Sequence, residues 1–407
     1  MKKIYYQIKF SNISALSIGN GENVFSDKDV IRNALGKPYI PGSSLAGVYR
    51  SIFSVDNQER YFGSLKSGDR NKQDSKIIVY DANIIGNYKI SIKHGVALDD
   101  NKTSIDGCKM DIEVVEPGAQ FVTYIEIDDV DEIGDTIIEE WATSSLTIGG
   151  KTSRGLGECE LESVRSATFM LPDDAEKWYK FNMYDNNSIS WEKYDLSLID
   201  KQDKTIKLLL RLEGGVSIRE YTTITKKDKK NNEVDVVPDY ESLRYKRDDG
   251  VFPYIPGTSW AGAFRHHMSL IDKDLTDEIF GSTKKKSNIY FSDTEIEGSK
   301  EKIISRNAID RFSGGAKKGA LYTEKFIYGG EVQLKIKLYG EHAGIENLLA
   351  YAITDLHYGL LSVGGLTSIG RGLFKVVKIN ECNIDSDTEA GDLYDLIKKQ
   401  IKEHIEI

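Results

Sequence analysis

Cysteine is scarce in this chain. Cys108, Cys159 and Cys382 are scattered and odd in number, so neither a disulfide framework nor a zinc ligand set is present, and three ordinary reduced thiols are expected. Histidine is nearly as thin: His94, His266, His267, His342, His357 and His404 show no metal-ligand spacing and no serine partner that would suggest a relay. His267 falls on an apolar helical stripe, the place of a packed core residue. No apolar run approaches the ~20 residues of a membrane span, and Met1-Lys2-Lys3 leads straight into a strand rather than a signal-peptide segment. A soluble, cytoplasmic protein without a membrane partner is expected. An excess of positive charge is also missing, since 54 Lys and Arg stand against 64 Asp and Glu for a formal charge of −10. At face value that argues against a nucleic-acid partner. The argument fails where acid and base are segregated, because charges are screened over about 10 Å and a groove feels its own surroundings. Here the acids crowd into residues 128–140 and 385–395. Arg32, Lys37, Arg50, Lys151, Arg154, Arg244, Lys246, Arg247, Arg265 and Arg371 lie in or near the motifs described next.

Two octapeptides recur. Ile40-Pro41-Gly42-Ser43-Ser44-Leu45-Ala46-Gly47 returns 215 residues later as Ile255-Pro256-Gly257-Thr258-Ser259-Trp260-Ala261-Gly262. A Pro-Gly turn, two hydroxyl residues and an apolar run describe a loop ending in a capped helix. Leu45, Val48, Tyr49, Ile52 and Phe53 then share one helix face, as do Trp260, Ala263, Phe264, His267 and Met268, with Arg50 and Arg265 on the other side. A second motif repeats at the same interval. Gly149-Gly150-Lys151-Thr152-Ser153-Arg154-Gly155-Leu156-Gly157 reappears, again 215 residues on, as Gly364-Gly365-Leu366-Thr367-Ser368-Ile369-Gly370-Arg371-Gly372. Two motifs keeping one interval mark a duplicated domain. Weaker echoes lie between them: Phe62-Gly63-Ser64 and Phe280-Gly281-Ser282, Val79-Tyr80-Asp81 and Phe291-Ser292-Asp293, Ala97-Leu98-Asp99 and Ala308-Ile309-Asp310.

At 407 residues the chain has room for two units of about 200. Residues 4–10 alternate like a strand, 19–32 form a polar loop, and 77–83 and 120–127 read as strands around a long irregular stretch at 89–118. A helix from about residue 131 carries Ile133, Ile137, Ile138 and Trp141 on one face, and a strand at 158–164 follows the glycine loop. Strand, helix, strand, strand, helix, strand is the order of a ferredoxin-like unit, so the expected fold is α+β with two tandem ferredoxin-like (RRM-like) domains. The predicted bounds are 1–178, a linker at 179–204, 205–385, and a helical tail at 386–407. The charge run at 226–230 has no apolar period and is predicted to be a mobile segment.

A helix start with glycine and two hydroxyls offers unpaired N–H groups and a positive dipole end, which suits a phosphate. Candidate contacts are Gly42, Ser43, Ser44 and Arg50; Gly257, Thr258, Ser259 and Arg265; and, on the glycine loops, Gly149, Gly150, Lys151, Thr152, Ser153 and Arg154 with Gly364, Gly365, Thr367, Ser368 and Arg371. The alternative is that the hydroxyls only cap helices and the glycines only turn the chain. Gly150-Lys151-Thr152 is not a nucleotide-binding loop: Ser145 stands where the Walker pattern needs glycine, and the order is helix, loop, strand.

Pro38-Tyr39-Ile40-Pro41-Gly42-Ser43-Ser44-Leu45-Ala46-Gly47 followed by Arg50, with the distal Gly-Gly-Lys-Thr-Ser-Arg-Gly-Leu-Gly, resembles the RAMP superfamily, the RNA-binding subunits of CRISPR effector complexes. Within it the chain is most similar to backbone subunits of type III effectors. Their ferredoxin-like cores line up along a guide RNA, and a long hairpin or thumb separates base-paired segments. The resemblance implies two fused units in an antiviral complex, with thumbs at 89–118 and 306–330. It also implies guide RNA, target RNA and other complex subunits as partners. A further implication is metal-dependent cleavage of target RNA, with Mg or Mn as the divalent ion, by an aspartate in the loop before the signature helix. Asp27 fits in Asp27-Lys28-Asp29-Val30-Ile31-Arg32, followed by Gly36-Lys37-Pro38; in the second half Asp239 has the same spacing to Arg244, with Asp235 as a competitor. Such a carboxylate can bind the ion or orient a 2′-hydroxyl for attack on the adjacent phosphate. Two other readings stay open: a structural RNA-binding subunit without chemistry, and a guide-processing endoribonuclease, whose usual histidine-led site is not evident.

Overall fold

A computed structural model describes residues 1–19, 28–63, 74–98, 104–144, 146–152, 155–188, 190–199, 205–220, 241–247, 250–282, 285, 287–339, 342–385 and 388–404. The chain divides into two units, Met1–Thr152 with Leu156–Asp203, and Ser153–Gly155 with Lys204–Ile407. Among the described residues no helix is long and apolar enough to cross a membrane.

In chain order the first unit runs β1 (Lys2–Asn12), α1 (Gly42–Ile52), α2 (Val55–Phe62), β2 (Ile77–Val79), β3 (Ala82–Ile85), β4 (Ile90–Leu98), β5 (Ser104–Val115), β6 (Gln120–Asp128), α3 (Asp131–Ser144), β7 (Glu158–Met170) and α4 (Ala175–Lys180). Strand β1 is central because its alternate residues Ile4, Tyr6, Ile8 and Phe10 face the core and are all buried. It pairs antiparallel with β6 on one side and β7 on the other, and β2 and β3 extend the sheet beyond β6. Helices α1 and α3 cover the core face. Leu45, Tyr49, Ile133, Ile137 and Trp141 are buried there, and the Trp141 ring lies 4.8 Å from that of Phe10.

The opposite face of this sheet is sealed as well. Tyr5, Ala167 and Phe169 are buried beneath Trp178, Phe181, Met183 and Trp191. Trp178 Nε1 donates to the Tyr5 hydroxyl at 2.9 Å, and the Tyr5 and Phe181 rings are 5.1 Å apart. Much of the stretch expected to be a linker, 179–204, therefore belongs to the first unit as a lid of aromatic side chains. Their burial fixes it there.

The second unit runs β8 (Thr205–Glu213), α5 (Gly257–Ile271), α6 (Lys273–Phe280), β9 (Ile289–Phe291), β10 (Lys300–Ile309), β11 (Ala316–Tyr328), β12 (Glu331–Leu338), α7 (Ile345–His357), β13 (Leu373–Ile379) and α8 (Ala390–His404). Strand β8 pairs antiparallel with β12 and β13, and β9 flanks β12. The core joins Leu208 and Leu210 to Trp260, Phe264, Leu334 and Ile353, and α8 adds Leu393, Ile397 and Ile401. The terminal helix is thus part of the core. Both units are antiparallel sheets with helices, the α+β class expected.

The described residues of 89–118 are mostly strand rather than irregular. Strands β4 and β5 form a two-stranded hairpin, and β10 with β11 forms the other, starting at Lys300 rather than 306. Nearly every side chain of β10 is exposed, so no buried face imposes the alternation that would have marked it as a strand.

Candidate nucleic-acid interface

Each signature helix starts directly after its proline. Pro41 and Pro256 hold the N-cap positions with no side-chain cap, and their carbonyls accept from Ser44 N and Leu45 N, and from Ser259 N and Trp260 N. The expected hydroxyl caps are absent because Ser43, Ser44, Thr258 and Ser259 lie inside the first turn, with Ser43 and Thr258 exposed. Another group takes the amide at the helix start. Gly42 N donates to Asp81 Oδ1 at 2.7 Å, and Gly257 N to Asp293 Oδ1 at 2.7 Å. A carboxylate on the positive end of each helix satisfies both an orphan N–H and the dipole. The glycines are needed for close approach: a Cβ at Gly42 would lie 2.3 Å from Val79 O, and one at Gly257 2.1 Å from Phe291 O. Sequence reasoning had the echo that ends in Asp81 and Asp293 but missed its role.

The glycine loops are one object built twice. Gly149 and Gly364 both have φ 93°, Lys151 and Leu366 57° and 58°, Gly155 and Gly370 86° and 80°, and Gly157 and Gly372 80° and 73°. Gly150 N donates to Ser17 O at 2.8 Å, as Gly365 N does to Ser217 O at 2.9 Å. Gly157 N donates to Ala15 O and Gly372 N to Gly215 O, both at 2.9 Å. A Cβ at Gly157 would stand 2.0 Å from Ile148 O, and one at Gly372 1.9 Å from Val363 O. Glycine is therefore obligatory at this turn in both units. The segment that receives each loop follows the first strand, and its signal was legible: Ser17-Ile18 recurs as Ser217-Ile218, 200 residues on. Thr152 is partly buried, Thr367 and Ser368 open a short 3₁₀ turn, and Ser368 is exposed.

The cations divide. Arg50 Nη1 donates to Gly63 O at 3.3 Å and Arg265 Nη2 to Gly281 O at 3.3 Å, so each ties its signature helix to the glycine ending the next helix. Arg265 also pairs with Asp277 at 3.0 Å. Arg371 does not present its charge to solvent. It is 8% exposed, its guanidinium lies 3.5 Å over the Phe326 ring, and its Nη2 is 3.7 Å from Oε2 of Glu324, itself 1% exposed. Lys151 Nζ reaches Met110 Sδ on β5 at 2.7 Å. His267 is not simply packed: its Nε2 lies 2.6 Å from Asp355 Oδ2, joining α5 to α7.

Asp27, Asp235, Asp239, Ser153 and Arg154 lie outside the described residues, as does the run at 226–230. Among the described residues no group of three or more His, Cys, Asp or Glu side chains is placed to hold a metal ion.

A comparison with curated protein sequences returns no match. Among solved structures, a chain in the cryo-EM structure of the type III-B Cmr-beta bound to cognate target RNA matches 40% of this chain and 61% of its own length, at 15% identity and a TM-score of 0.33. Similarity at that level carries no argument about function. The family model is another matter: it matches residues 9–160 and again 200–375, spanning both signature helices and both glycine loops. With one match in each half and most of the length covered, the chain belongs to the RAMP superfamily.

Proposed function

We propose that this chain is a guide-RNA-binding backbone subunit of a type III CRISPR effector complex, two RAMP units in one polypeptide, and that it cuts target RNA paired with the guide. The observation that carries the reading is the glycine loop, kept in one backbone geometry in both units. Strand orders support two tandem ferredoxin-like domains: β7-β1-β6-β2 in the first unit and β13-β8-β12-β9 in the second, with helices between the first and second and the third and fourth strands. Aromatic side chains already fill the outer face of the first sheet, so bases do not stack there as they do on RRM sheets. Guide RNA instead follows the glycine loops, and the two hairpins serve as thumbs.

For cleavage, Asp27 and Asp239, with Asp235 as the competitor in the second unit, supply the loop carboxylates. Each orients a target 2′-hydroxyl toward the neighbouring phosphate, and the products carry a cyclic phosphate. A bound Mg or Mn ion would offset charge building on the phosphate oxygens. The second reading is a structural or capping RNA-binding subunit without chemistry. It is favoured by the number of signature groups, Gly42, Gly257, Arg50 and Arg265, that already have partners within their own unit.

The test is assembly with recombinant partner subunits, guide and target RNA. Two cuts, lost one at a time in Asp27→Ala and Asp239→Ala, are expected. Intact target on a normally assembled complex selects the structural reading. Cleavage of precursor guide by the isolated chain selects the processing nuclease.

A further inference from the structure

We infer that Lys28 and Arg219 are the phosphate-binding cations of the two glycine loops, one per unit, delivered to the same spot from different places in the chain. The inference rests on the RNA-binding reading above and names the side chains that grip the phosphodiester. In the first unit the residue two after Ser17 is Gly19. A Cβ built there would lie 2.9, 3.0 and 3.1 Å from Cε, Cδ and Cγ of Lys28, so the lysine stem runs across the bare glycine. That course brings Lys28 Nζ to 3.8 Å from where a Cβ of Gly150 would stand. In the second unit the residue two after Ser217 is Arg219 itself. Its Nε and Cζ lie 3.7 and 4.0 Å from the same point on Gly365.

Gly150 and Gly365 are matching residues, each donating its amide to the serine carbonyl of its own unit. Each loop therefore carries a cation at its second glycine, which itself has no side chain to stand before a polyanion. Lys28 is exposed and Arg219 partly buried. Ammonium and guanidinium differ in shape, but both form charge-assisted hydrogen bonds to phosphate oxygens. The loop's own charges do not follow the repeat: Lys151 is matched by Leu366, and Arg371, which is buried, by Leu156. Lys28 and Arg219 do follow it, in space rather than in sequence. An alignment that shifts Ser17 onto Ser217 puts glycine opposite arginine and hides the correspondence.

The geometry predicts that the cation can be moved. Among the atoms near a Cβ at Gly19 the three nearest all belong to Lys28, and the Gly19 backbone is outside the left-handed region. Removing the lysine therefore opens the room that an arginine at position 19 needs. The experiment titrates the full chain with an unstructured oligoribonucleotide across a salt series, using wild type, Lys28→Gln, Arg219→Gln and the transposed double variant Gly19→Arg/Lys28→Ala. Lys28→Gln keeps a stem over Gly19 and removes only the charge. Each single variant should bind roughly tenfold more weakly and lose about 0.7 from the salt slope, and Lys28→Gln should leave the melting temperature unchanged. The double variant should regain the wild-type slope. Wild-type slopes in both single variants, or no recovery in the double variant, would overturn the inference while leaving the RNA-binding reading intact. If wild type itself binds no RNA, that reading falls and the inference falls with it.

Discussion

Arg371 separates two accounts of the glycine loop, because its type and position suggest a phosphate contact and its surroundings do not. Arg371 and Glu324 are both buried, with 3.7 Å between their nearest charged atoms. Among the described residues Arg371 Nε and Nη2 and both Glu324 side-chain oxygens have no hydrogen-bond partner. Attraction between unit charges at about 4 Å is worth roughly 4 kcal/mol in an effective dielectric of about 20. Desolvation costs several kcal/mol per ion, so the pair is close to neutral as a pair. Removing one member leaves the other charge stranded. Arg371→Leu should therefore destabilise the second unit by about 3–5 kcal/mol, a fall in melting temperature on the order of 10 °C for a domain of this size. Leucine is the natural choice because Leu156 holds the matching position in the first unit and is buried. Adding Glu324→Leu should recover most of the loss, since an apolar pair of similar volume replaces the ions. Calorimetry of the full chain reads the stability, and an RNA salt titration below the melting range reads the contact. A single variant that melts like wild type but loses salt slope would show that Arg371 reaches RNA, and the burial argument would be wrong.

Two further outcomes follow from the matched units. Tyr49 is fully buried with no hydrogen-bond partner for its hydroxyl among the described residues, and the second unit carries Phe264 at the same position. Tyr49→Phe should stabilise the first unit by about 1 kcal/mol; an unchanged or lower unfolding midpoint in urea would contradict this. Asp81→Ala should cost about 1 kcal/mol by leaving the Gly42 amide at the helix start without its acceptor. The same loss is expected for Asp293→Ala, and a loss confined to one unit would mean that the repeated 2.7 Å contact is not energetically equivalent in the two.

The duplication was legible because its markers sit where few residues fit. Gly42, Gly157, Gly257 and Gly372 face a carbonyl oxygen too close for any side chain, so substitution is blocked and the 215-residue interval survives in the letters. The core stripes were legible for a similar reason. Leu45, Tyr49, Trp260 and Phe264 are all completely buried, and burial imposes the helical period. What stayed hidden depends on contacts between distant segments. Nothing near Asp81 in the sequence says that it ends at Gly42, nor does the composition of residues 171–193 reveal that their aromatic residues close a sheet face. Arg371 shows the limit most clearly, since a charge on the chain does not declare whether it will face solvent or the interior. Strand β10 escapes detection for the opposite reason: nearly all of its side chains are exposed, so no buried face selects them.

Position 151 carries the argument furthest. Lys151 and Leu366 have nothing chemical in common, yet both adopt left-handed backbone at φ 57° and 58°. For residues other than glycine that conformation costs about 1–2 kcal/mol, and both units bear it while their side chains have diverged. A loop kept only to turn the chain would relax that cost by taking glycine there, as it does at the neighbouring turns. What the duplication has preserved is the direction of the main chain, with its amides and its bare second glycine. On the inference drawn above, charge is supplied from elsewhere, by Lys28 in one unit and Arg219 in the other. On the RNA-binding reading proposed above, such a loop grips its ligand through backbone approach and one movable cation, a combination suited to the uniform sugar-phosphate backbone of a nucleic acid rather than to any one base.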